Sequence, residues 1–520
     1  MIGAGHNGLV AANLLADAGW SVVVVEAQAW PGGAVRTAEV TAPGFRTDLF
    51  SAFYPLSAAS PVIRDLHLED HGLAWAVSPA VLTHICPNDT SVTLWQDAER
   101  TAADLEAVHA GDGAEWLRLT RQWDHVGPTV VDALLEPFPP ARQMSRLVRQ
   151  LGLGATLRLA RLAAQSVRRF GDERFGGSPA ALLFAGNALH ADLPPDGAGS
   201  ALYGWLLSML GHSHGYPVPV GGAGRLIDAL VARLESKGGV VRLNAPVASI
   251  EIANGSARGV VLKSGERLTA RRAVLADVTA PQLFGDLVGA RHLPAQFMSD
   301  LAHFEWDLPT LKIDWALSRP VPWTAANAHL AGTVHLGVDM NGFSDYSTDL
   351  STRRVPRHPF LLFGQMTTAD VTRSPEGTES AWAYTHLPRG RRFSARQIDR
   401  HVALVEGVVE RHAPGFGASV LGRYVQSPAD LETANANLVS GAVNGGTAQL
   451  HQQLVFRPVP GLSGAATPVD RLFLAGASAH PGGGVHGACG SNAADAAILR
   501  AGPGGRARRA TENALFRQLY

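Results

Sequence analysis

Cysteine is almost missing from this chain. Cys86 and Cys489 are the only two in 520 residues, too few for a disulfide framework, a four-thiolate metal site or an iron–sulfur centre, and they fit a reducing, cytoplasmic setting. A charge excess is missing too. Lys and Arg number 44 against 45 Asp and Glu, a net charge of −1, which argues against nucleic acid as a partner. No apolar run approaches the ~18 uninterrupted residues of a spanning helix, and the first residues lack the basic-then-apolar order of a secretory signal. Charged residues are scarce at 17%, below the roughly 25% of an average soluble domain, while hydrophobic residues reach 46%. That balance calls for a generous interior or an apolar pocket, and the length suggests about three domain-sized lobes.

Glycine is plentiful, and it clusters. Gly3-Ala4-Gly5-His6-Asn7-Gly8 is followed by an apolar run to Ala18, by Gly19, and by Val22 to Val25 ending at Glu26. This reads as loop, helix, turn and buried strand. Gly3 and Gly5 permit a tight turn and close approach of backbone to a pyrophosphate, while Gly8 lets the helix pack with its amino end towards the anion. Glu26 stands near the ~20-residue offset at which a carboxylate accepts hydrogen bonds from a ribose 2′-hydroxyl and repels a 2′-phosphate. Such a unit needs a strand before its first glycine. Only Met1 and Ile2 precede Gly3, so that strand is expected to be severely shortened, or to begin upstream of Met1. A second cluster is Pro31-Gly32-Gly33-Ala34-Val35-Arg36. A third follows the apolar residues 472 to 475, running from Gly476-Ala477 through His480 to Gly483-Gly484-Val485-His486-Gly487, before a helix over 488–499. This second strand–loop–helix end can aim its N–H groups at an anion or a ring carbonyl.

On these segments, with Pro219-Val220-Gly221-Gly222-Ala223-Gly224, Ser427-Pro428 and Phe456-Arg457-Pro458, the sequence resembles the phytoene-desaturase-like branch of the flavin amine oxidase superfamily over nearly its whole length. Within that branch it is similar to the desaturase-type carotenoid ketolases and to the pyridine nucleotide-disulfide oxidoreductase domain-containing proteins. The resemblance implies an α/β protein with a Rossmann-type FAD-binding domain, discontinuous in sequence, and an interleaved α+β substrate domain containing a helical insertion. The FAD-binding pieces are expected at 1–95, 216–286 and 465–505, the helical insertion at 96–215, the substrate sheet and helices at 287–464, and a tail at 506–520. By resemblance, Gly3, Gly5, Asn7, Gly8, Glu26 and Ala27 hold the adenosine diphosphate of FAD, and Val247 meets the adenine. Gly32, Gly33 and Ala34 approach the phosphates and ring; Gly476, Ala477, Gly483, Gly484, Val485 and Gly487 cover the isoalloxazine side. Many relatives carry arginine after the paired glycines. Here Ala34 stands in that place, and Arg36 is the candidate substitute.

Gly221-Gly222-Ala223-Gly224 lacks the spacing of a second dinucleotide unit, so no nicotinamide site is expected. Electrons then leave reduced flavin for oxygen, a quinone or another carrier, and a redox-neutral isomerisation stays open. The implied activity is oxidation of a hydrophobic, isoprenoid or carotenoid-like substrate by desaturation, ketolation or isomerisation. Amine oxidation and a flavin-bound interaction protein without turnover are the alternatives. Hydride loss from carbon must be matched by proton loss, and imidazole titrates near neutrality, so His480 leads the candidate proton carriers, followed by His451 with Gln453.

In the helical insertion, Met144, Leu147, Val148 and Leu151 repeat at helical spacing, and Leu159, Leu162, Val167 and Phe170 follow after Gly152 and Gly154, predicting two amphipathic helices. Arg142, Arg146, Arg149, Arg158, Arg161, Arg168 and Arg169 make a basic surface, a candidate peripheral membrane contact through 140–170 or a solvated helical cap. Strand-like runs carry Trp315, Trp382 and Tyr384, which with Trp306 are candidates to line an apolar channel or to fill core. His212 and His214 have no ligand partner at recognisable spacing and read as a polar loop, so no metal is expected. Cys489 reads as a small packed thiol.

Overall fold

The computed structural model describes residues 1–520. Helix α1 (His6–Asp17) leads to strand β1 (Val23–Val25); β2 (Ala80–Ile85) and β3 (Ser91–Leu94) precede the helices α2 (Asp112–Leu135), α3 (Ala141–Ala164), α4 (Pro179–Ala188) and α5 (Ser200–His214). Helix α6 (Gly224–Ser236) and β4 (Val240–Arg242) come next, then the meander β5 (Val247–Ala253), β6 (Ser256–Leu262) and β7 (Arg267–Thr269), and β8 (Val274–Ala276). Strands β9 (Thr310–Leu317), β10 (Ala331–Leu336), β11 (Leu361–Gln365) and β12 (Glu379–His386) lead through helix α7 (Ala395–His412) to β13 (Val420–Gln426). Strand β14 (Leu472–Leu474) and helix α8 (Ala488–Ala501) complete the first lobe from the far end of the chain.

That lobe is a parallel layer assembled from distant pieces. β1 pairs with β4 and β8 with β14, both parallel, and Ile2 bridges Val25 on one side and Ala276 on the other. The strands are short apolar runs, as expected of parallel strands covered on both faces. α1 packs on α6 and α8. Its Leu9, Val10, Ala11, Ala12 and Leu15 are buried, and Asn13 Nδ2 donates to Leu9 O and Leu230 O, each at 2.9 Å, which fixes α6 against it. The arrangement is the Rossmann-type, discontinuous α/β lobe. In the position of the first strand Ile2 N–H donates to Leu275 O and Val25 N–H to Met1 O, each at 2.9 Å, and a cleft of about 680 Å³ lies between β1 and β8, lined by Met1, Val22, Val23, Val274 and Leu275 among others.

The second lobe is built on a seven-stranded sheet in the order β13-β9-β12-β11-β10-β2-β3, antiparallel except for the β10–β2 pair. β2 and β3 fall within 1–95, the first expected nucleotide-binding piece, yet they belong to this sheet; a short, almost wholly buried strand does not say which sheet it joins. Along β9 the side chains alternate. Leu311, Ile313, Trp315 and Leu317 pack with Ile398, Val402, Val405 and Val409 of α7. Trp315 therefore fills core behind the sheet and lines no channel. On the opposite face Lys312 stands opposite Tyr384 and Asp314 opposite Trp382. Helices α2 to α5 close this face through a core that includes Trp116, Phe184, Trp205, Leu362 and Trp382.

Two local readings change. His212 and His214 end α5 and are no loop, and His212 Nε2 accepts from Trp116 Nε1 at 2.9 Å. α3 is broken at Gly152, whose φ of +74 and ψ of 163 are not helical, as the expected pair of helices requires; of the expected apolar face Leu147, Leu159 and Leu162 are buried while Met144 and Val148 are exposed.

A short extension of β-branched residues ahead of Met1 is expected to continue the Met1–Ile2 register into the cleft between β1 and β8. The melting temperature should rise by about 1 °C for each kcal/mol gained. Calorimetry reads the shift; an unchanged melting point would show that the cleft takes no strand.

Candidate functional site

The amino end of α1 lacks a cap of its own, since Gly5 stands at the N-cap and the first turn holds no acid. Its partners come from elsewhere. Gly5 bridges Gly32, whose N–H donates to Ala4 O at 2.8 Å, and a Cβ on Gly33 would lie 3.3 Å from the Gly5 Cα. Gly32, at φ +119, adopts a conformation that only glycine enters freely. Glu26 leaves β1 with Oε2 accepting from Ala4 N–H at 2.7 Å and Oε1 from Gln28 N–H at 2.9 Å. Gly3, Gly5, Glu26, Ala27, Gly33 and Val247 line one cleft of about 230 Å³, together with Lys263, Asp277, Asn435 and Asn437, which the sequence patterns did not single out. Asn7 and Gly8 are buried in the first turn of α1, with Asn7 Oδ1 lacking any partner.

The far end of the chain meets this loop. A Cβ on Gly490, at the start of α8, would overlap the Asn7 carbonyl, and one on Gly476 would lie 2.6 Å from Val278 O. Gly483 is pressed against Asn444 O and Gly484 against Leu56. The Val485 carbonyl accepts from the Ser57 hydroxyl, and Gly487, at φ +72, is the N-cap of α8. Ala34 O accepts from Ser51 N–H and Oγ, and the Arg36 guanidinium lies 3.6 Å above the Trp30 ring centre. The glycine clusters predicted from opposite ends of the sequence are thus brought together.

The proposed proton carriers do not converge. His480 is buried, with Nε2 at 3.0 Å from Glu136 O and Nδ1 unpartnered; burial pulls its pKa down to about 4, so it is neutral at pH 7. His451 lies at the surface with Nε2 3.0 Å from Glu305 Oε2, and Gln453 is buried with Nε2 donating to Thr447 O at 3.2 Å.

Beside Gln453 sits the arginine of Phe456-Arg457-Pro458, whose role its sequence position does not reveal. Arg457 is fully buried and no carboxylate bonds to it. Nη1 donates to Thr447 O at 2.9 Å, and Nη2 donates to Gly445 O at 3.0 Å and Ala477 O at 2.8 Å, with Nε also reaching Ala477 O. Asp307 holds the other side of the same loop, accepting from the N–H groups of Val443, Asn444 and Gly446. The segment 443–447 is therefore gripped by a cation at its carbonyls and an anion at its amides. Asp307 immediately precedes the sheet face that carries Tyr384, His386 and Lys312. His386 Nε2 lies 2.8 Å from Asp192 Oδ1, and although burial lowers the imidazole pKa, the carboxylates of Asp192 and Asp307 outweigh it and hold it above its ordinary value. Lys312 is paired with Asp314, whose carboxyl burial pushes up to about 6 against the pull of that ammonium. Tyr384, half-buried, stacks on Trp382 and presents its edge to His386. Period-two alternation in residues 310–317 was the available signal for this face, because Lys312 and Asp314 fall between apolar neighbours.

The family model for flavin containing amine oxidoreductase matches residues 8–377, and the chain belongs to that family of flavin-dependent oxidoreductases. The pyridine nucleotide-disulfide oxidoreductase domain-containing protein 2 of Rattus norvegicus is 29% identical over 95% of this chain and 92% of its own length. The neurosporene-forming phytoene desaturase of Cereibacter sphaeroides is 25% identical over 99% of this chain and 96% of its own. Among solved structures, an oxidoreductase from Methanosarcina mazei superposes with a TM-score of 0.62 at 16% identity, covering 96% of this chain and 98% of that one. Putrescine oxidase bound to putrescine gives 0.60 at 17%, covering 95% and 97%. Both are likenesses of fold.

Replacing Arg457 with Met is expected to leave several buried carbonyls unpaired, at about 1–3 kcal/mol each. Chemical denaturation should show a loss of that order. Wild-type stability in the variant would mean that the guanidinium organises nothing.

Proposed function

We propose that the chain binds FAD and oxidises, or rearranges through flavin redox chemistry, a hydrophobic substrate of the isoprenoid or carotenoid type. The observation that carries this reading is the single cleft lined by Gly3, Gly5, Glu26, Gly33 and Val247 at the amino end of α1. The residues fit the group. Glu26 suits a ribose, the amino end of α1, with a glycine at its N-cap, suits a pyrophosphate, and the unpartnered Asn7 Oδ1 is a buried acceptor beside them. Gly476, Ala477 and the loop 483–487 would cover the ring. A flavin there supplies an acceptor for a hydride from a substrate C–H bond. The protein's own part is to place that bond and exclude water. His480 is retained as proton acceptor, its Nδ1 being a buried free lone pair beside the glycine loop; His451 and Gln453 are assigned to holding 447–457 in place.

The apolar substrate is supported by the phytoene desaturase relative and by the carboxylates of the sheet face. Asp192 accepts from Leu308 N–H and pairs with His386, and Asp307 holds three amides, so neither is free to receive an ammonium group. Anaerobic titration of the yellow protein tests the reading. Bleaching of the flavin band by detergent-dispersed carotenoid precursors and indifference to diamines are expected. The reverse pattern would establish an amine oxidase, and indifference to both would reject turnover on either class.

A specific observation supports membrane contact. Arg161 and Arg169 pair with Glu173, and Arg168 with Asp196, so part of the expected basic surface is engaged internally. Arg142, Arg146, Arg149 and Arg158 carry no such ion pair, and between them Met144, Val148, Leu153 and Leu157 are exposed, the last two at 66% and 62%. Apolar side chains flanked by free guanidinium groups suit an anionic bilayer. No helix is long and apolar enough to cross a membrane. Exchanging Leu153 and Leu157 for Asp is expected to abolish flotation with anionic liposomes, and equal flotation would remove this contact.

A further inference from the structure

Asp277, the residue after β8, occupies the centre of the glycine loops. Its Oδ2 accepts from Gly8 N–H at 2.9 Å, and it is 8% exposed. A Cβ on Gly5 would lie 2.5 Å from Oδ2, one on Gly8 3.1 Å from the Asp277 Cβ, and one on Gly476 3.2 Å from Oδ1. Two glycine-bearing segments from opposite ends of the chain thus close around one carboxylate. α1 has neither a side-chain cap nor an acid in its first turn, so the only side-chain anion bonded at its amino end comes from a strand far away in sequence. An amino-terminal helix end stabilises one anion well, and a carboxylate and a phosphate directed to the same N–H groups repel each other.

We infer that Asp277 couples dinucleotide binding to proton uptake: its carboxylate holds the amino end of α1, and it takes up a proton when a pyrophosphate is accepted there, turning from a competing anion into a hydrogen-bond donor. This rests on the FAD reading above. Burial already pushes the Asp277 pKa up to about 7, against the Gly8 N–H and with the help of the Glu26 carboxylate. The other groups around it are few. Glu26 accepts from Ala4 and Gln28, Lys263 is the cation of the cleft, and Asn437 donates to the Asp277 carbonyl. His6 titrates near 4 and His486 near 3, Cys489 near 11, and the amino group of Met1 near 6. In the interval from pH 7 to 9 Asp277 is therefore the group whose titration the binding should report.

The test is the FAD dissociation constant of the full-length protein, read by the fluorescence of released FAD from pH 6 to 9, with calorimetry in two buffers of different ionisation enthalpy. The expected result is a dissociation constant rising about tenfold per pH unit above 7, with about one proton taken up per FAD. Asp277→Asn should bind with a flat profile and at least about tenfold more tightly than wild type at pH 9. A flat wild-type profile without proton uptake, or an unchanged slope in Asp277→Asn, overturns the inference. The proton count needs no variant, so it decides the matter if Asp277→Asn fails to fold. Failure of FAD to bind at any pH would instead overturn the FAD reading itself.

Discussion

A buried guanidinium caged by main-chain carbonyls holds the two lobes in one geometry. Arg457 has no bonded carboxylate partner, so its charge is balanced by peptide dipoles of Gly445, Thr447 and Ala477. Removing a charge from water is costly unless its donors are all used, and this one directs its donors at a loop that would otherwise bury its own unpaired carbonyls. Asp307 treats the amides of the same loop in the opposite sense. The result joins a sheet that carries polar side chains to the glycine-rich segment 476–487, and it lets Gly445 sit against Ala477 where a side chain would not fit. The relative placement of the glycine-rich loop and the sheet follows from this joint.

The polar face of β9 and β12 is unusual for a closed interior. Lys312, Asp314, Asp192, Asp307 and His386 are all buried, and each has an opposite charge or amides in reach. Such a face excludes a purely apolar packing solution behind Tyr384. On that face one half-buried phenol ring stacks on an indole, with the charges around it neutralised pairwise.

What could be read from the sequence was local in character. The G-x-G-x-x-G turn, Glu26, the paired glycines and the terminal loop each lie within a short stretch, and their spacing reports the backbone they need. Asp277 escaped because the Gly5–Gly8 loop and Gly476 that it meets lie far from it on either side in sequence, and an aspartate after a short strand has no local signature. Arg457 was visible as part of a motif, but its acceptors are carbonyls, which carry no residue identity. The arginines of 140–170 could be counted but not sorted, since Glu173 and Asp196, which bind three of them, lie beyond that stretch. Met144 and Val148 follow the helical period and still face outwards: periodicity defines a stripe and leaves open which neighbour covers it.

The pairing of β10 with β2 has a consequence for how the molecule comes into being. The seven-stranded sheet takes its last two strands from residues 80–94, while the strands beside them arise after residue 330, and the nucleotide lobe is completed by β14 and α8 near the carboxyl end. Neither lobe can close on a growing polypeptide until almost all of it has left the ribosome, and contacts so remote in sequence form slowly. During that interval the hydrophobic surfaces of α1 and β2 have no permanent cover.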